Sequence, residues 1–179
     1  MTADPQPTAP DLAGHLRDIP DFPRPGVVFK DITPLLGDAD AFRVCIDALA
    51  DPYAEDGIDK VLGTEARGFI VAAPVAYRFG AGFVPVRKAG KLPWAIERQE
   101  YELEYGTDLL EIHKDAVQPG ERVLIVDDVL ATGGTAAATA RLVGKLGATV
   151  VGFGFLVEIG FLHGRRALGD HAVTSLIIT

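Results

Sequence analysis

The sequence predicts an α/β domain, a mainly parallel twisted sheet flanked by helices. Three features predict it. From residue 58 onward, apolar runs of strand length alternate with helical patterns, the rhythm of parallel βαβ units. The run Val123-Leu-Ile-Val-Asp-Asp-Val-Leu-Ala-Thr-Gly-Gly-Thr135 reads as a buried strand, an acidic turn at its end, a small-residue loop and a helix start. The chain has 179 residues, 48% hydrophobic and 23% charged, enough for one such domain with a full core.

The elements follow in order. Met1 to Pro10 lacks the basic start and apolar core of a signal peptide. With a short helix over Leu12 to Arg17, closed by Pro20, it reads as a loosely held tail over residues 1–20, ahead of a domain over 21–179. Phe22-Pro-Arg-Pro-Gly26 must turn, because two prolines and a glycine exclude helix. Val27 to Phe29 is extended, Lys30 to Pro34 leads out of it, and Asp40 to Leu49 is helical. Ile58 to Gly63 is a strand, Thr64 to Arg67 a loop, Gly68 to Phe79 a helix, and Gly82 to Arg87 the next strand. Arg122 to Asp127 is the strand of the key run, and Thr135 to Leu146 is its helix, stopped by Gly147 as a C-terminal glycine cap. Thr149 to Val157 and Val173 to Ile178 complete the strands.

The stretch from Pro93 to Leu110 breaks the rhythm. Glu97, Glu100, Glu102, Glu104 and Asp108 face a single positive charge, Arg98. Tyr101, Leu103 and Tyr105 alternate with Glu102 and Glu104 at the strand period, so the glutamates share one face. Such an insert buries no face of its own. It is either a lid or interaction site, or a solvated hairpin.

Ligands of open α/β sheets sit at strand ends, and a helix start offers unpaired N–H groups to an anion. Gly133 and Gly134 let the backbone approach closely, and the hydroxyls of Thr132 and Thr135 add donors. Asp127 and Asp128, side by side, call for hydroxyl donors or a hard cation such as Mg2+. A ribose 5-phosphate meets both demands. A P-loop is excluded because no Lys follows the glycines, and Gly152-Phe-Gly154 lacks the third glycine of a dinucleotide fingerprint. The net charge of −8 argues against general nucleic-acid binding. No apolar run reaches the roughly 18 residues of a membrane span. Cys45, the only cysteine, falls in a helical pattern where a small core residue is expected. A cytoplasmic setting is the expectation.

The Asp127 to Thr135 string resembles the phosphoribosyl-pyrophosphate (PRPP) loop of type I phosphoribosyltransferases. Phe22-Pro-x-Pro-Gly-Val-Val-Phe-Lys-Asp-Ile32, Ala66-Arg-Gly-Phe69, Val86-Arg-Lys-x-Gly-Lys-Leu-Pro93 and Tyr101-x-Leu-Glu-Tyr-Gly106 stand in order with it. Together they resemble the adenine phosphoribosyltransferases from about Phe22 to the C-terminus. Trp94 departs from the family, whose members often carry a small or charged residue there. The resemblance implies a type I phosphoribosyltransferase fold with a small N-terminal hood over 22–34 and a flexible β-hairpin lid over 94–110. It also implies a reaction: adenine plus PRPP giving AMP and pyrophosphate, through a transition state like an oxocarbenium ion.

On that resemblance, Ala131, Thr132, Gly133, Gly134 and Thr135 hold the 5-phosphate. Asp127 and Asp128 hold the ribose 2- and 3-hydroxyls. Pyrophosphate, travelling with Mg2+, falls to Arg67, Arg87, Lys88 and Lys91 and to the Glu65-Ala66 loop, where such enzymes tend to use a non-proline cis peptide. From Val61 to Pro93 only Glu65 opposes five cations, a stretch that otherwise reads as a solvated basic face. Phe29 either stacks on adenine, whose edge the backbones of Val28 and Lys30 would read, or packs under its turn. Glu104 is the candidate proton donor or acceptor near adenine N7, with Glu102 the weaker one, and Tyr105 would exclude water. A homodimer is implied, across whose interface Arg87 or Lys88 could instead reach. The rival within the enzyme class is a transferase for another purine base. The rival outside it is a PRPP-sensing regulator, for whose winged-helix module the residues before Phe22 are too few.

Overall fold

The computed structural model describes residues 11–102 and 107–179. The chain divides into two compact units, Met1–Cys45 and Ile46–Thr179. In the first unit a 3-10 turn over Ala13–His15 leads into β1 (Arg17–Pro20), which pairs antiparallel with β2 (Val28–Asp31). The helix expected over Leu12 to Arg17 is therefore a single turn. Leu16 is already extended, and Arg17 to Pro20 find backbone partners on β2 that a helix would forgo. Phe22 to Gly26 turns as expected, with Gly26 at φ +83 and its N–H donating to Asp21 Oδ1 at 2.8 Å. The lead-out after β2 contains a short helix, α1 (Thr33–Gly37), whose start Asp31 holds by accepting from the Thr33 N–H and hydroxyl, each at 2.9 Å. Helix α2 (Ala39–Ala50) takes in the expected span, and Asp38 Oδ1 accepts from the N–H groups of Asp40 and Ala41 at its start. Cys45 is buried and burial pushes its thiol up to about 12, so it packs as a small core residue.

The second unit holds a seven-stranded sheet in the order β5-β6-β4-β3-β7-β8-β9. Its elements are β3 (Lys60–Thr64), α3 (Gly68–Phe79), β4 (Gly82–Lys88), β5 (Ile96–Glu102), β6 (Thr107–His113), β7 (Arg122–Leu130), α4 (Gly134–Lys145), β8 (Thr149–Glu158) and β9 (Ala172–Ile178). Strands β4, β3, β7, β8 and β9 are parallel, and the β5–β6 hairpin adds antiparallel to the β4 edge. The expectation that the 93–110 insert buries no face of its own fails here. The outer part of β6 pairs with β4, which sinks Leu110, Glu111 and Ile112 completely, and Tyr101 of β5 is buried as well.

Parallel crossovers are right-handed, and β3 steps to β4 in the opposite direction from β7 to β8. Helices α3 and α4 therefore cover opposite faces. Strand-period alternation agrees: Leu62, Val123 and Ile125 join α4 residues Ala138, Leu142 and Val143 in one cluster. Their neighbours Val61, Leu124 and Val126 are equally buried outside that cluster. The reversal of winding between β3 and β7 marks where a doubly wound sheet opens a crevice at its strand ends. Among the described residues no helix is long and apolar enough to cross a membrane.

Between β8 and β9 lie two 3-10 turns, Gly160–Leu162 and Gly164–Leu168, that the sequence pattern did not indicate. Arg165 anchors the second. Its Nε reaches Glu158 Oε1 at 3.0 Å and Oε2 at 2.9 Å, and its other nitrogens donate to the Val173 carbonyl and Ser175 hydroxyl. The Arg165 hydrogen bonds outweigh burial and hold the Glu158 carboxyl below the usual glutamate range. A depressed carboxyl stabilises the fold above its unfolded value, and that contribution fades as pH falls through the folded one. Arg165→Ala is expected to lower stability in urea by roughly 1–2 kcal/mol at neutral pH. The gap from the parent should narrow in acid below the glutamate range, leaving the part due to the Val173 and Ser175 hydrogen bonds. A gap independent of pH would contradict this account.

Candidate active site

The key strand runs further than the sequence suggested. β7 continues to Leu130 because Val129 and Leu130 keep their pairing with Val157 and Glu158 of β8. Asp127 and Asp128 thus lie within the strand, not in an acidic turn. The chain then bends through Ala131 to Gly133 and enters α4 at Gly134. Gly133 sits at φ +83, and a Cβ there would run into the Gly164 carbonyl oxygen of the following 3-10 segment. Conformation and space both demand glycine. Helix α4 has no side-chain cap and no acid in its first turn, so its first N–H groups face outward with the positive end of the helix. They open on a cavity of about 70 Å³ lined by Asp127, Thr132, Gly133, Gly134 and Thr135 among others, the scale of a phosphate group. A wider recess of about 570 Å³ adjoins it, between Glu100 and Tyr101 of β5 and Thr132, Gly134 and Arg141.

The two carboxylates are electrostatically uncomfortable. Asp127 reaches the cavity, yet the protein packed around it and the Asp128 charge push its carboxyl well above the usual range. Asp128, 6% exposed, is also raised by burial, an effect that the Arg67 guanidinium partly offsets. Arg67 Nε lies 2.7 Å from Asp128 Oδ2, an ion pair rather than an aligned hydrogen bond. Asp128 N–H donates to Asp127 Oδ1 at 2.9 Å, and the backbone of Gly68, at the start of α3, stands so close that a Cβ would meet the same oxygen. The neighbouring Thr64 hydroxyl is buried with no aligned partner among the described residues. Hydroxyl donors or a hard cation beside these oxygens would relieve the strain.

The loop after β3 carries a cis peptide at Glu65-Ala66. Burial pushes the Glu65 carboxyl up, but hydrogen bonds and charge from Lys91 and Arg87 prevail and hold it below the usual range. Arg87 Nε lies 2.8 Å from Glu65 Oε2, and Lys91 Nζ pairs with Oε1. Lys88 Nζ lies 3.1 Å from Asp108 Oδ2. Four of the five cations of the basic stretch thus form a partly exposed rim of ion pairs at the ends of β3 and β4, while Arg78 pairs with Asp47 and Asp51.

In the first unit, Phe29 packs edge-on against Phe22 across its turn, with centroids 5.2 Å apart. Val28 is exposed, and Lys30 Nζ reaches Asp18 Oδ1 at 2.7 Å. Glu104 and Tyr105 lie outside the described residues, and only the backbone of Glu102 is described. Sequence reasoning missed Asp108, the Tyr101 hydroxyl beside Thr135, and Gly164 against Gly133. An acid in a strand facing a basic strand end was the available signal for Asp108. The Gly164 contact had none, because it joins distant segments.

An anion cradle at a helix start, strand-end carboxylates and a basic rim belong together in enzymes of phosphorylated sugars. Residues 37–173 match the phosphoribosyl transferase domain. The adenine phosphoribosyltransferase of Acaryochloris marina is 60% identical over 93% of this chain and 98% of its own length. The crystal structure of adenine phosphoribosyltransferase from Thermoanaerobacter pseudethanolicus superposes with a TM-score of 0.90 at 55% identity, covering 96% of this chain and all of that one. The Saccharomyces cerevisiae enzyme, solved with an imino-altritol bisphosphate and adenine, gives 0.88 at 43% identity over 92% of this chain and 96% of that one. The chain belongs to the adenine phosphoribosyltransferases, pentosyltransferases of the phosphoribosyl transferase family.

Because the folded-state carboxyl of Asp127 is raised, its ionised form opposes folding, increasingly as pH rises from the ordinary aspartate range. Asp127→Asn should therefore raise the melting temperature at neutral pH, by about 2–4 °C for each kcal/mol relieved. It should lose that advantage in acid. Scanning calorimetry across pH checks this; a lower melting temperature at pH 7 would contradict it.

Proposed function

We propose that the protein transfers the 5-phosphoribosyl group of PRPP to adenine, giving AMP and pyrophosphate in purine salvage. The observation that carries this reading is the uncapped start of α4, opening on a phosphate-sized cavity with Asp127 in its wall. The backbone N–H groups of Ala131 to Thr135 take the 5-phosphate, joined by the Thr132 and Thr135 hydroxyls. Asp127 and Asp128 accept from the ribose 2- and 3-hydroxyls. As positive charge grows on the sugar ring in the transition state, their negative charge stabilises it.

Pyrophosphate leaves toward the rim formed by Arg67, Arg87, Lys88, Lys91 and the backbone of Glu65-Ala66. The carboxylate oxygens of Asp127 and Asp128 suit Mg2+, which would arrive on PRPP and neutralise charge on the departing group. Phe29 stacks on the base while the backbone groups of Val28 and Lys30 read its edge. The yeast relative solved with adenine supports that base. Glu104 exchanges a proton near adenine N7, and Tyr105 helps to exclude water from a reactive sugar cation. The hairpin ending β5 and opening β6 acts as the lid. A cytoplasmic homodimer completes the reading, and the exposed Ile70 and Tyr77 of α3 are apolar surface that a second copy would cover.

The test is product formation from labelled PRPP and Mg2+ with each purine base. Adenine is expected to give AMP; turnover of hypoxanthine without adenine would overturn the assignment. Glu104→Gln should lower kcat by about 10²–10⁴-fold with little change in the KM for PRPP. A change confined to KM would remove Glu104 from proton transfer.

A further inference from the structure

Every cation assigned above to pyrophosphate already has an acid of the chain beside it. Arg67 pairs with Asp128, Arg87 and Lys91 with Glu65, and Lys88 with Asp108. These acids differ in how readily they can release a cation. The side chains of Glu65 and Asp128 are 6% and 9% exposed, and a carboxylate so buried would be left as an uncompensated charge. Asp108 is 25% exposed, and its partner Lys88 is 53% exposed. An ion pair this wet is weak and exchanges easily.

Asp108 also keeps other partners when Lys88 departs. Its Oδ1 accepts from the Leu109 N–H at 2.8 Å, and the Tyr101 hydroxyl donates to its Oδ2 at 3.3 Å. Tyr101 is buried and stands opposite Asp108 in the β5–β6 register, so that donor stays in place. Lys88 closes β4 one residue after Arg87, on the rim itself.

We infer that Asp108 is a positioning residue, an internal stand-in for pyrophosphate that holds the Lys88 ammonium on the rim and competes with the ligand for it. The inference rests on the reading of that rim as the pyrophosphate site. Release of Lys88 to the ligand leaves Asp108 bonded to Tyr101 and Leu109. Departure of the ligand lets Asp108 take the ammonium back, which favours product release.

Calorimetric titration of pyrophosphate with Mg2+ into the parent protein, Asp108→Asn, Lys88→Ala and the double variant tests this. Asp108→Asn is expected to bind pyrophosphate about 2–5-fold tighter, because the competitor has lost its charge. In the Lys88→Ala background the same substitution should change nothing. Unchanged or weaker binding by Asp108→Asn would overturn the inference, as would an equal gain without Lys88, which would mean general repulsion. If Asp108→Asn fails to fold, Asp108→Ser must give the same Lys88-dependent gain. Failure of the parent protein to bind pyrophosphate would overturn the reading of the rim, and this inference with it.

Discussion

β3 and β7 run parallel and adjacent, and the helices that follow them depart to opposite faces of the sheet. Their C-terminal ends therefore meet at one point while their exits diverge, leaving space that neither helix fills. β3 delivers Thr64 to Arg67 to that point, and β7 delivers Asp127 to Thr135. Helices α3 and α4 both start there without a side-chain cap or an acid in the first turn. Two positive helix ends thus face two carboxylates that burial makes reluctant to ionise. The Arg67–Asp128 pair and the close approach of Gly68 to Asp127 exist only because these two strands are neighbours.

The two ends of a PRPP molecule would meet different physics. The 5-phosphate end would find backbone donors at a helix start with no side-chain cap and no acid in its first turn. The pyrophosphate end finds cations that already have counter-charges, so binding there exchanges one anion for another and gains less. The phosphate cradle would then anchor the ligand while the rim adjusts around it. An acidic protein, of net charge −8, would hold a polyanionic sugar this way because Arg67, Arg87, Lys88 and Lys91 stand together at these strand ends.

Much of this was legible in the residues, for local reasons. The span of α3 was read to the residue, since Gly68 and Gly80 bracket an apolar run that no turn residue but Pro74 interrupts. The bend from β7 into α4 was legible because two adjacent glycines interrupt the apolar run just before a helix-forming stretch. What escaped depends on distant partners. Strand β1 exists because β2 pairs with it, and the extension of β7 to Leu130 because β8 continues beside it. The hairpin insert looked detached because its acidic residues dominate, but β4 offers an open edge and Leu110 and Ile112 supply a buried face. Glu65 was read as the acid opposing the rim cations, but the pairing of Asp108 with Lys88 and of Asp128 with Arg67 was invisible for the same reason. Sequence gives the charges, whereas strand register decides which of them meet.

The central claim is that the N–H groups at the start of α4 grip a phosphate. Backbone amide resonances of Thr132 to Thr135, followed in ¹⁵N-labelled protein, report on it directly. Ribose 5-phosphate is predicted to shift them, and ribose at the same concentration to leave them in place. Equal shifts with both ligands, or shifts confined to other parts of the chain, would contradict the claim.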